Sequence, residues 1–321
     1  MRMWRATSLG IIVGGVLSFS LAFMFADAQA ADRSPKQAVA AAEAADTPAP
    51  PAVEVSPEPS ATPPPTHPSF GPLDQAVAGI VAASGGEVGV SLIELGGAAP
   101  SVWSSRGAAP MDAASTYKLP ALMAEAQLVA EKKINPAGTV CFEDSDWEEG
   151  WYDDYAAGDC YSRNVLASRA GIDSDNTAGH MLVRDVGGAG ALNAWVAALG
   201  ATGSSFFDGN TTTATDLTAL WVAEAQGRLG GAAAQAWLYP LLTRTSFESG
   251  IPAGTSGATV VHKTGALDLT ENDTALLLGA PSGPYVLTVL TDGLDETAGP
   301  TLIASIARAV ETFESARSAP Q

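Results

Sequence analysis

Apolar residues recur at helical spacing over residues 73–83, Ser84-Gly85-Gly86 breaks the pattern, and residues 88–95 alternate as a half-buried strand does. Gly96-Gly97 turns the chain, and residues 101–104 supply a short second strand of a hairpin. From 115 to 244 the period is helical, in runs over 115–131, 163–170, 176–185, 189–199, 215–229 and 232–242. Strand patterns return only at 258–263, 274–279 and 285–291, with Ala280-Pro281-Ser282-Gly283-Pro284 as a hairpin loop, and an amphipathic helix follows over about 300–314. Strands from both chain ends therefore flank an α-rich middle. The economical architecture is an α/β (α+β) domain over about 70–321. A five-stranded antiparallel sheet from the N- and C-terminal segments, about 70–114 and 250–321, is flanked by helices and carries an all-α insertion, about 115–249.

The chain before residue 70 follows other rules. Arg2 and Arg5 precede an apolar run over 9–25, and Ala26-Asp27-Ala28 and Ala28-Gln29-Ala30 are small-x-small cleavage patterns, so residues 1–30 read as a secretory signal peptide. An uncleaved membrane anchor is the alternative, since the run is near the lower length limit of a spanning helix. Residues 31–69 are rich in Ala, Pro, Glu, Ser and Thr and contain too little apolar surface to fold, which predicts a disordered linker. The expected location is thus secreted or at the cell wall, outside the cytoplasm.

A formal net charge of −19 argues against nucleic acid and anionic membrane surfaces as partners, because both require basic patches. Cys141 and Cys160 are the only cysteines in a chain with an export signal, which predicts a disulfide between them. Three scattered histidines offer no ligand spacing, so no metal and no cofactor are expected. A monomer acting on a small-molecule substrate is the simplest expectation.

Ser115-Thr116-Tyr117-Lys118 places a lysine three residues after a serine at the start of a helical run, where i and i+3 side chains are neighbours. A serine hydroxyl needs an adjacent base, and a lysine is a base only where its surroundings favour the neutral amine. Pro120 removes a helical hydrogen bond to Thr116, so a loosened first turn is expected. Ser-x-x-Lys alone is weak, since about one match arises by chance in a chain of this length. Ser174-Asp175-Asn176 opens a later helix and Lys263-Thr264-Gly265 ends a β-type run, and the three in this order are hard to dismiss.

The trio, with the local contexts Ser174-Asp175-Asn176-Thr177-Ala178, Lys263-Thr264-Gly265-Ala266 and Thr211-Thr212-Thr213, resembles class A β-lactamases and the wider penicillin-recognising serine hydrolase superfamily, over roughly residues 70–315. The resemblance implies the same fold and an acyl-enzyme mechanism. In it Ser115 is the nucleophile, Lys118 its base, and Ser174 and Lys263 the proton-passing groups. Asn176, Thr264, Gly265 and Ala266 would bind substrate, and the N–H groups of Ser115 and Ala266 would form the oxyanion hole. Lys263 is expected to depress the pKa of Lys118. Asp175 reads as an N-cap carboxylate, and His262 should point away from Lys263.

One family element is absent. Class A β-lactamases carry a deacylating glutamate in a loop between the second and third motifs, whereas here residues 201–210 form a short loop and no glutamate occurs between Asn176 and Thr213. Asp208, the only carboxylate in that loop, reads as a turn residue before Gly209. A secreted serine acyl-transfer hydrolase of β-lactams or related amides, with slow deacylation, is the resulting expectation. A D,D-peptidase and a non-catalytic cell-wall binding protein are the alternatives. The segment 143–159, dense in carboxylates and holding Trp147, Trp151, Tyr152 and Tyr155, reads as a solvated, disulfide-clipped insertion or, more sharply, as a lid over the groove.

Overall fold

The computed structural model describes residues 69–96 and 101–318. The signal-peptide and linker readings, and part of the Gly96-Gly97 turn, lie outside the described residues. The chain opens with α1 (Gly71–Ser84), closed by Gly85 in the left-handed conformation, then β1 (Glu87–Glu94), β2 (Val102–Ser105) and β3 (Met111–Asp112). A 3-10 turn (Ala114–Tyr117) leads into α2 (Lys118–Ala130), followed by β4 (Thr139–Cys141), β5 (Cys160–Ser162), α3 (Arg163–Ile172), α4 (Asn176–Asp185) and α5 (Gly188–Ala198). After β6 (Thr211–Thr212) come α6 (Ala214–Ala225), α7 (Gly231–Leu238), the single turn α8 (Ile251–Gly254), β7 (Thr259–Leu267), β8 (Thr270–Leu278), β9 (Tyr285–Asp292) and α9 (Ala298–Ser318).

The main sheet is antiparallel and ordered β2-β1-β9-β8-β7, so the N-terminal hairpin docks onto the last strand and β7 is left at an edge. Period-2 alternation sends Val88, Val90 and Leu92 of β1 and Leu287 and Val289 of β9 to one face, where they meet Leu73 and Val77 of α1 and Ile303, Ile306 and Val310 of α9. The other face contributes Val261, Leu276, Val286 and Leu290 to a second core, filled by Leu119, Leu122 and Met123 of α2, Met181 and Leu182 of α4, and Leu217, Leu220 and Trp221 of α6. The residues of the three motifs lie where this second core meets the edge strand β7.

Several elements differ from the sequence pattern for local reasons. The Lys263-Thr264-Gly265 run does not end its strand: β7 continues to Leu267 and pairs through Ala266↔Glu271 and Leu267↔Thr270. Helix α6 stops at Ala225, before Gly227 at φ 75°, instead of running to 229. The run expected over 232–242 breaks into α7 and a 3-10 turn (Tyr239–Leu242) containing Pro240. The ladders β3–β6 and β4–β5, two and three residue pairs long, leave no periodicity to read.

Candidate active site

Ser115 sits in the 3-10 turn before α2, and the loosened start expected from Pro120 is this turn. The turn is anchored by Ala114 N–H donating to Asp112 Oδ1 (2.7 Å) and by Asn272 Nδ2 donating to Asp112 O (2.9 Å). Lys118, fully buried, reaches back so that Nζ lies 2.7 Å from Ser115 Oγ, 2.7 Å from Ser174 O and 2.7 Å from Asn176 Oδ1. Its path passes Gly179 of α4, where a Cβ would stand 2.8 Å from Lys118 Cε.

Ser174 precedes α4 at φ 60°, a left-handed conformation unusual for a serine, and its Oγ is 3.4 Å from Lys118 Nζ and 2.9 Å from Lys263 Nζ. Two lysines are thus joined through one hydroxyl. Asp175 is the N-cap of α4, Oδ1 accepting from Ala178 N–H (2.8 Å) and from Tyr155 OH (2.6 Å), while Oδ2 accepts from Tyr152 N–H (3.1 Å). Ala114 (φ 44°) and Asn210 (φ 38°) are left-handed as well, so three such residues surround the serine.

On β7, Lys263 faces the 3-10 turn and also donates to Thr264 O (2.8 Å). Gly265 faces it too, and a Cβ there would lie 2.8 Å from Ala113 O. His262 takes the opposite face, bonded to Asp273 (2.9 Å) and Glu248 (3.2 Å). A groove of about 300 Å³ is lined by Ser115, Gly150, Trp151, Asp173, Ser174, Asn176, Phe247, Thr264 and Ala266. The candidate residues of all three motifs therefore converge on one opening, Asn176 offering an amide that is shared between Lys118 and Glu149 O (2.7 Å).

Burial is the main reason that Lys118 titrates at about 7; the carboxylates of Glu148 and Asp175 oppose it. Lys263 is held well below the ordinary lysine range, first by burial and then by Lys118. Desolvation is thus the leading cause of the depression of Lys118, and the two buried ammonium groups, joined through Ser174 Oγ, repel one another.

The segment 143–159 is mostly exposed, as expected of a solvated, disulfide-clipped insertion, and its Gly150 and Trp151 form one side of the groove. It is clipped at its root by the Cys141–Cys160 disulfide, held to α4 by Glu148 O and N–H on Thr177 Oγ1 (2.8 and 3.0 Å), and brings Trp151 opposite Phe247, ring centroids 6.1 Å apart. Trp147 and Trp151 remain exposed, whereas Tyr155 is buried. In the short loop, Asp208 is exposed in a turn. Asn210 stands closest to the serine turn: its Nδ2 donates to Ala114 O (3.1 Å) and its Oδ1 accepts from Phe207 N–H (3.2 Å). Sequence reasoning missed Asn210, since a lone asparagine between a glycine and three threonines reads as a turn residue.

The profile of a family described as "Beta-lactamase enzyme family" matches residues 72–313. Among solved structures, PBP-A is similar at 25% identity with a TM-score of 0.71, covering 78% of this chain and 98% of that one. A mutant of PBP-A in acyl-enzyme complex with penicillin G is similar at 25% identity and a TM-score of 0.69, over 78% and 98% of the two chains. A β-lactamase from Sphaerobacter thermophilus is similar at 25% identity and a TM-score of 0.68, over 79% and 100%. No curated protein matches the chain in sequence.

Proposed function

The chain belongs to the β-lactamase enzyme family and is a serine hydrolase of the β-lactamase or penicillin-binding type, and from that premise we propose that Ser115 opens β-lactams and related amides through a covalent acyl-enzyme that is released slowly. The observation that carries the reading is the 2.7 Å contact between Ser115 Oγ and a buried Lys118 that titrates at about 7. In its neutral form Lys118 takes the Ser115 proton as Oγ bonds to the carbonyl carbon. The N–H groups of Ser115 and Ala266 receive the developing oxyanion. When the C–N bond breaks, the leaving nitrogen takes its proton from the Ser174 hydroxyl, which is replenished from Lys118 or Lys263. Water then cleaves the ester, freeing Ser115 and a carboxylic acid.

Slow release is supported by the surroundings of the serine. The short loop touches the serine turn through an amide, Asn210, and its one carboxylate, Asp208, is turned to solvent. Asp173, which lines the groove, is already bonded to Tyr152 OH (2.9 Å) and Ser246 Oγ (2.7 Å). The same feature favours a second reading, a D,D-peptidase whose peptide substrates turn over while β-lactams remain bound. Residues 1–30, read as an export signal, would put either activity outside the cytoplasm. Incubation with a fluorescent penicillin, followed by mass spectrometry of the labelled peptide, tests the proposal. Label on Ser115, abolished in Ser115→Ala, is expected, and equal labelling of that variant would overturn it.

A further inference from the structure

Asn176 Oδ1 accepts from Lys118 Nζ (2.7 Å) while Asn176 Nδ2 donates to Glu149 O (2.7 Å), and a backbone carbonyl can only accept. The Glu149 carbonyl therefore decides which end of the amide faces Lys118. Turned over, the amide would set Nδ2 against the lysine N–H groups and one carbonyl oxygen against another. Glu149 belongs to a segment that is mostly exposed, so its place depends on what grips that segment. Two residues of α4 do so, Thr177 and His180, three apart and thus on one side of the helix. Thr177, fully buried, donates from Oγ1 to Glu148 O (2.8 Å) and accepts from Glu148 N–H (3.0 Å). His180 Nε2 lies 2.6 Å from Glu148 Oε2, and the ring stands edge-on to Phe207, centroids 4.7 Å apart. Glu148 is held by backbone and carboxylate together, and the next carbonyl along the chain is the one on Asn176. Gly150 completes the approach, since a Cβ there would stand 2.8 Å from Asp175 Oδ2 and 3.0 Å from Asn176 N.

We propose that Thr177 and His180 are positioning residues of acylation: by gripping Glu148 they keep the Glu149 carbonyl on Asn176, and so keep Asn176 Oδ1 on Lys118. The inference rests on the acyl-enzyme reading, in which Lys118 becomes an ammonium as it takes the Ser115 proton. Asn176 Oδ1 is one of the three acceptors at 2.7 Å that such an ammonium finds. Losing it disfavours the charged form, so Lys118 becomes a weaker base that stays neutral to lower pH. The charged and titratable groups around Lys118 are Glu148, Asp175, His180, Lys263 and the Tyr117 phenol, and Thr177→Val changes the charge of none of them.

The test follows kcat/KM for acylation by a chromogenic cephalosporin against pH in the full chain, with melting temperatures measured alongside. Thr177→Val should lower the plateau by about three- to tenfold, the worth of one hydrogen bond, and move the levelling-off point below about 7. Thr177→Ser, which keeps the hydroxyl, should restore both. His180→Phe keeps a ring against Phe207 but loses Nε2, and it should move both quantities in the same direction, which keeps the test decisive if Thr177→Val does not fold. A plateau that falls while the levelling-off point stays in place is the mark of a merely structural role. That result, or Thr177→Val and Thr177→Ser behaving alike, overturns the positioning role and leaves the serine chemistry standing. If the cephalosporin does not acylate Ser115 of the natural protein, both are overturned.

Discussion

Lys118 Nζ has three neighbours at 2.7 Å, and two of them, Ser174 O and Asn176 Oδ1, can only accept. A neutral amine has two N–H groups and one lone pair. The two obligate acceptors take the N–H groups, and the lone pair is left facing the Ser115 hydroxyl. Because only the neutral amine can accept that proton, acylation measured as kcat/KM should rise with pH up to about 7 and level off above it. Lys118→Arg, permanently charged, should lose roughly 10²-fold or more at every pH. Gly265→Ala probes the opposite wall. Its Cβ would meet Ala113 O at 2.8 Å and Thr116 N at 3.0 Å, parting β7 from the serine turn. Acylation is expected to fall by about 10² through lost alignment, with a drop in melting temperature measured alongside. That the serine, both lysines and Asn176 come together in space was legible from the three motifs and the family they resemble. Gly179 and Asn210 were not, since Gly179 matters for the room it leaves the Lys118 side chain and Asn210 for its bond to the Ala114 carbonyl, neither of which is written in local sequence.

Strand β7 works on both faces, carrying Lys263 toward the serine and His262 toward a buried clamp. Burial opposes the charge on His262, but the Asp273 carboxylate, and then Glu248, outweigh it and hold its pKa at about 9. Glu248 in turn is held below the usual carboxylate range by His262. The clamp fastens the stretch bearing Phe247 to the back of β7. Since the folded pKa lies above the unfolded value near 6.5, this stabilisation is complete below about pH 6.5 and is lost as pH rises through 9. The unfolding free energy from urea titrations should therefore fall across that window, by up to about 3 kcal/mol, and His262→Gln should flatten the fall. The clamp was hidden in the sequence: alternation turned His262 away from Lys263, but its carboxylate partners come from a neighbouring strand and a distant turn. The segment 143–159 was legible only as two alternatives, a solvated insertion or a lid, because its aromatic and acidic residues suit solvent as well as a groove; most of it is exposed, with Gly150 and Trp151 at the groove. The disulfide at its root closes a loop whose chain-entropy contribution is about 3 kcal/mol. Cys141→Ala with Cys160→Ala should lower the melting temperature and raise the concentration of fluorescent penicillin needed for half-maximal labelling.

For the whole molecule, the sheet and the helical insertion were legible from strand periods at both chain ends around a helical centre, because each packed face writes its period into the sequence. The kinetic outcome belongs to this scale, since it depends on a loop that is short. With the acylation groups assembled and no carboxylate base in that loop, a stoichiometric burst of β-lactam opening followed by slow turnover is expected. General-base assistance is worth about 10² to 10⁴ in rate, and stopped-flow absorbance would read the two phases. Fast steady turnover without a burst would show that another group supplies the base. The left-handed residues around the serine, Ala114, Ser174 and Asn210, have a consequence for thermal robustness. Each holds its backbone in a conformation that disfavours a side chain by about 1 kcal/mol or more, so the folded state is less durable than the same chain with a slack site would be. Ser174→Gly is accordingly expected to melt higher than the natural protein while acylating more slowly: the molecule gives up heat tolerance to keep one hydroxyl between two lysines.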